Sequence, residues 1–202
     1  MKNLCLISRR VALNNRGFTL IELMVVIIIS TIMMTVLVLQ QGKWNDSLTV
    51  TTQAYELSLM IRQAQLYSLG VREDVAGSEI DKFDIGYGIY INSNSLDRYA
   101  FFADRNDNKR YDIGEMVGEP IYFTRGVRIR NFCGTNFCFP GGGPLRNASV
   151  LFFRPEPKAV ISLLNNGGNP VDSAPITIRL ESAGGKVSSV RVESNGQVSI
   201  SQ

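Results

Sequence analysis

Between Phe18 and Leu39 the chain reads FTLIELMVVIIISTIMMTVLVL, 22 residues with a single charged side chain, Glu22. No other feature narrows the fold as much. A helix of that length rises about 33 Å, enough to cross the hydrocarbon core of a bilayer. The run therefore predicts one membrane-crossing helix. Its flanks set the orientation. Residues 1–17 carry Lys2, Arg9, Arg10 and Arg16 and no acid, which favours a cytoplasmic N-terminus with the rest of the chain outside. The run is too long for the apolar core of an ordinary secretory signal, and no small-x-small cleavage site follows it. Cys5 is a poor lipoprotein cysteine, because no apolar stretch precedes it.

Glu22 is the oddity in this run. A carboxylate at the centre of a membrane helix costs roughly 2.5–3.5 kcal/mol on insertion scales. Two readings follow. Glu22 lies near the end of the run and reaches the headgroups, or it needs a positive partner that assembly supplies.

The residues Arg16-Gly17-Phe18-Thr19-Leu20-Ile21-Glu22-Leu23 resemble the processing site of type IV prepilins and of the pseudopilins of type II secretion. A short basic leader ends in Gly, Phe comes next, and Glu stands four residues after that Phe. The resemblance covers the first quarter of the chain. It implies cleavage between Gly17 and Phe18 by a membrane prepilin peptidase, then N-methylation of Phe18. It also implies that Glu22 pairs with the Phe18 amine of a neighbouring subunit during filament assembly. Leu57–Ser68 is similar, more weakly, to the helical region of minor pilins of the GspH and FimT type. No Pro occurs before Pro120, so no proline kink is expected in the first helix, unlike many major pilins.

Beyond the run, helical spacing returns at Leu57, Met60, Ile61, Ala64 and Tyr67, one apolar face. Gly42 is a weak point in a helix interior, and Gly70 is a natural stop. These signals predict a helix over 18–69. After Gly70 the texture is β. Runs at 85–91, 99–103, 120–124, 127–132, 149–154, 160–164, 176–181 and 187–192 are separated by Gly, Asn, Asp and Pro. Asn195-Gly196 is a hairpin signal. No βαβ rhythm is present. The expected class is α+β, the pilin fold that the leader implies: one long N-terminal helix against an antiparallel sheet or small sandwich. The expected organisation is a cleaved leader over 1–17, a transmembrane and assembly helix over 18–42, and a β-rich head over 43–202.

Three constellations fall in the head. Asp104, Asn106, Asn108, Asp112 and Glu115 place side-chain oxygens at relative positions 1, 3, 5, 9 and 12, the ligand spacing of an EF-hand calcium loop. Lys109 stands where that loop has Gly, and no helix pair flanks it. The two readings are a Ca²⁺ loop in a β context and an Asx-rich turn. No cofactor is required beyond that. Cys133 and Cys138 enclose four residues, and outside the cytoplasm a disulfide is their default state, with free thiols the alternative. Last, residues 71–119 hold 11 acidic and 6 basic side chains, whereas 125–158 hold 6 basic and one acidic. Arg125, Arg128 and Arg130 form a candidate basic face, and by simple alternation Phe132 shares it with Arg128 and Arg130.

The basic face has three readings: it meets an acidic face of another subunit, the better reading, it is plain surface charge, or it binds nucleic acid. Some FimT-type pilins bind DNA through a C-terminal Gly-Arg-x-Arg segment, but this chain has Gly196-Gln197-Val198-Ser199 at the comparable place. Enzymatic activity is not expected. The chain has no His, which removes Ser-His-Asp and Cys-His catalysis, and it shows no nucleophile elbow or phosphate loop. The formal charge of +3, which by itself would suggest an acidic partner, belongs to the N-terminal segment. Without residues 1–17 the balance is 17 basic against 18 acidic. The resemblance at Arg16–Leu23 implies a minor pilin or pseudopilin of the bacterial inner membrane, crossing once with its head outside. Its expected partners are other pilin or pseudopilin subunits, prepilin peptidase and membrane lipid. A DNA- or surface-binding pilin is the alternative.

Overall fold

Thr19 starts the first helix by capping it. Its Oγ1 accepts the Glu22 N–H at 3.3 Å, and its carbonyl accepts the N–H groups of Glu22 and Leu23. Thr and Glu three apart at a helix start form a capping-box sequence, and Glu22 in the first turn suits the helix dipole. Helix α1 then spans Leu20–Leu69 and passes through Gly42. The computed structural model describes residues 17–70, 85–141, 143–156, 158–172 and 174–201. By its contacts the chain divides into two units, Met1–Gly42 and Lys43–Gln202.

In the first unit the apolar side chains of α1 between Leu20 and Leu39 are exposed on every side. By length and composition this is a helix able to cross a membrane, with a mean hydropathy of 2.6 over its most apolar window. No polar residue is needed inside such a helix, because every backbone N–H and C=O is satisfied along its own axis.

In the second unit the helical residues sort by face. Val50, Ala54, Leu57, Ile61 and Ala64 are buried and join one apolar core with residues of both β-sheets. Each fully buried Leu or Ile contributes about 1.5–3 kcal/mol. Tyr67 closes the far end, edge-on to Tyr87 and Phe101 with ring centroids at 5.7 and 5.8 Å. Gln53 Oε1 accepts the Thr124 N–H at 3.1 Å, a polar tie between helix and head.

Among the described residues eleven strands follow. They are β1 (Gly86–Asn92), β2 (Ser95–Asp104), β3 (Ile121–Tyr122), β4 (Arg128–Cys133), β5 (Cys138–Phe139), β6 (Asn147–Phe152), β7 (Ala159–Leu164), β8 (Pro170–Asp172), β9 (Ile176–Glu181), β10 (Val187–Val192) and β11 (Val198–Ser201). They form a six-stranded sheet, β3-β2-β1-β6-β7-β8, and a five-stranded sheet, β11-β10-β9-β4-β5. Every named pair is antiparallel. One long N-terminal helix followed by antiparallel sheets is the α+β layout expected from the sequence, and it is consistent with a pilin fold.

Two details differ from expectation. The helix begins at Leu20 rather than Phe18, since Thr19 takes the cap. Phe132 does not share a face with Arg128 and Arg130. A bulge between Ile129 and Asn131 adds one residue to β4, which reverses the alternation beyond it. Phe132 is therefore fully buried in the core while both arginines stay exposed.

Candidate functional site

The N-terminal site is built from four residues. Gly17 and Phe18 precede the helix, and Phe18 is 84% exposed. Thr19 caps, and Glu22 follows in the first turn with its side chain exposed. Residues 1–16, most of the leader expected over 1–17, lie outside the described residues. Thr19 was not singled out in the sequence reading, although its spacing to Glu22 carries the capping signal.

The loop after β2 brings together Asp104, Asn106, Asn108, Asp112 and Glu115. Asp104 is fully buried, and its carboxylate accepts the backbone N–H groups of Asn108 and Lys109 at 3.2 and 2.8 Å. Glu115 is buried as well and accepts the N–H groups of Arg105 and Asp112 at 3.0 and 2.9 Å. Asp112 Oδ2 accepts from the side-chain amides of both Asn106 and Asn108. The Asn106 and Asn108 carbonyl oxygens cap the N–H two residues ahead. Burial pushes the Asp104 and Glu115 carboxyls above their usual range, against the opposing pull of those N–H donors. Lys109 takes a left-handed backbone, φ 64°, the turn for which an EF-hand loop uses Gly. Among the described residues no group of three or more His, Cys, Asp or Glu converges as a metal cage.

This loop also covers a second apolar patch on the outer side of the six-stranded sheet. Tyr111 stacks on Tyr90 at 4.2 Å and meets Phe102 edge-on at 5.4 Å. Phe102 and Leu151 are fully buried there. Gly88 makes this approach feasible: a Cβ on it would lie 2.3 Å from the Val150 carbonyl oxygen and 3.0 Å from the Phe102 ring.

Arg125 lies in the turn before β4, itself in left-handed backbone at φ 53°. Arg128 and Arg130 both reach Glu181, each at 3.7 Å. All three arginines are exposed. The acidic counterpart is more internal than the sequence suggests. Asp104 and Glu115 are buried, Arg105 donates to the Gly114 carbonyl, and Arg110 donates to that of Gly168. The acids at 73, 74, 79, 81 and 84 lie outside the described residues.

Cys133 and Cys138 are disulfide-bonded. They face each other across the β4–β5 pair.

Residues 13–38 match the family model described as the prokaryotic N-terminal methylation motif. No curated protein matches the chain, and no solved structure does. The matched segment contains the Gly17–Phe18 bond, the capping Thr19, Glu22 and most of the apolar run. It supports a precursor of the type IV pilin or pseudopilin kind, a class whose role is structural.

Proposed function

We propose that this chain is a minor pilin or pseudopilin, a structural subunit of a type IV pilus or of a type II secretion pseudopilus. The methylation motif over residues 13–38, set directly on a helix exposed and apolar on all sides, carries the reading. The inner membrane holds the precursor by that helix, with the head outside. Prepilin peptidase cuts between Gly17 and Phe18, and the new Phe18 amine is methylated. In the filament Glu22 pairs with the Phe18 amine of a neighbouring subunit. An unpaired charge among apolar helices is expensive, so this pair fixes register more than it adds stability.

A second stripe supports assembly. Leu48, Tyr55, Leu59 and Leu66 lie on the side of α1 away from the buried face, and all are more than half exposed. Their spacing of seven, four and seven residues is that of a seam meeting another helix. The minor, GspH- or FimT-like subtype belongs to this proposal, supported by the absence of Pro from the helix and by Leu57–Ser68. Docking of the Arg125, Arg128 and Arg130 face on another subunit belongs to it too.

Calcium binding by the 104–115 loop is a further part of the proposal. The oxygen spacing and the left-handed turn at Lys109 support it. Calorimetric titration of the full chain tests it; heat absent at millimolar Ca²⁺ removes it. The filament reading itself is tested by expressing Glu22→Ala. Membrane insertion persists and incorporation into filaments is lost; normal incorporation would refute the role of Glu22.

A further inference from the structure

Two of the shortest strands in the head lie at edges of different sheets. β5 ends the five-stranded sheet and pairs with β4 at two positions only, Phe132 with Phe139 and Cys133 with Cys138. β8 ends the six-stranded sheet and pairs with β7 at two positions, Leu163 with Asp172 and Leu164 with Pro170. So few ladder contacts hold an edge strand weakly.

One carboxylate joins them. Asp172, on β8, accepts the backbone N–H groups of Asn136 and Phe137 at 2.8 and 2.7 Å and the Asn136 side-chain amide at 3.1 Å. Asn136 and Phe137 belong to the four-residue loop that the disulfide closes. Thr135 Oγ1 adds a bond to the Ala174 carbonyl at 2.9 Å, just beyond β8. The fit is tight: a Cβ on Gly134 would lie 2.4 Å from both Asp172 Oδ2 and Leu163 Cδ1. Successive N–H groups aimed at one anion form a nest, and charge-assisted bonds of this kind are the strong ones. The nest exists only while the loop stays tightly curled. Its curl is held by the turn bond from the Gly134 N–H to the Phe137 carbonyl, at 2.8 Å, and by the disulfide.

We propose that the Cys133–Cys138 disulfide is a redox latch: oxidised, it shapes the 134–137 loop to grip Asp172 and lock the edges of the two sheets together; reduced, it lets β5 and β8 part. Cys138 is exposed and Cys133 half-buried, so a dithiol reductant enters at Cys138. Its thiolate attacks Cys138 Sγ, the Cys133–Cys138 bond breaks, and Cys133 leaves as a thiolate that takes a proton. The reductant's second thiol then attacks the mixed disulfide and releases Cys138. Two electrons pass to the chain, and the dithiol becomes a disulfide. The latch stands whether or not the chain joins a filament.

Hydrogen exchange on the full chain in neutral detergent tests this, with dithiothreitol as the reductant. Reduction is expected to speed exchange about tenfold or more in segments 134–139 and 170–172, while β9 and β10 keep their protection. Asp172→Ala with the disulfide intact is expected to reproduce the effect at the Asn136 and Phe137 amides, since no side-chain oxygen is left to accept from them. Unchanged exchange in both segments on reduction would overturn the latch. So would an equal loss of protection through β9 and β10, which would make the disulfide a general crosslink. An oxidised Asp172→Ala chain with ordinary loop protection would remove Asp172 from it. Because reduction is done on folded protein, the test does not depend on a cysteine variant folding.

Discussion

Residues 20–39 and residues 48–69 belong to one helix and use much the same apolar side chains, yet water treats them differently. In the first stretch the large apolar residues are about half exposed or more on all sides, from Val25 at 48% to Leu20 at 76%. In the second, Val50, Ala54, Leu57, Ile61 and Ala64 are buried at 1% or less, while Leu59 and Leu66 on the far side stay open. The lesson concerns how a helix finds its solvent. The second stretch pairs one face with a core that the same chain supplies. The first has no face to choose, so its burial has to come from lipid or from other helices.

The comparison is broken most severely at Glu22. Glu22→Ala is expected to abolish filament incorporation while leaving the fold of the head unchanged, as read by pull-down of assembled subunits beside circular dichroism. Next comes the buried face. Leu57→Ala should destabilise the head by about 3 kcal/mol, the usual cost of a core cavity, with membrane insertion intact in fractionation. Gly88→Ala should cost about 1–3 kcal/mol in chemical denaturation, because its methyl meets the Val150 carbonyl.

A pH titration sharpens the head's side of the contrast. Asp104 and Glu115 have carboxyls raised by burial, so the fold favours their protonated forms. Their contribution is fully present below the ordinary carboxylate range of about 4. It is lost as pH rises through the raised values. Thermal unfolding without calcium should show that decline, and Glu115→Gln should flatten it; an unaltered profile would deny these carboxyls the role. The smallest effect is expected at Leu59→Ser, on the open side of the helix. Head stability should shift by no more than about 0.5 kcal/mol, while incorporation into filaments weakens.

These contrasts explain what was legible in the sequence. The membrane-length helix, its stop at Gly70 and most of the longer strands could be read, because each has a local period or a boundary residue. β5 and β8 were missed: two or three residues carry no period, and β8 opens with Pro170, a residue suited to an edge. The face of Phe132 was misassigned because a bulge is set by pairing with β9, not by β4 itself. In the 104–115 loop the oxygen spacing was visible, but not that Asp104 and Glu115 would turn inward onto backbone N–H groups. The grip of Asp172 on Asn136 spans 36 residues of sequence, and nothing local announces it. At the N-terminus the reverse holds. Gly17, Phe18 and Glu22 were legible because they stand close together in one contiguous motif, which needs no tertiary contact to be recognised.

That processing site is where the account is most exposed. Mass spectrometry of the mature protein from its native membrane tests it directly. The account predicts a chain beginning at N-methylated Phe18, with residues 1–17 removed. A mature chain still beginning at Met1 would contradict it.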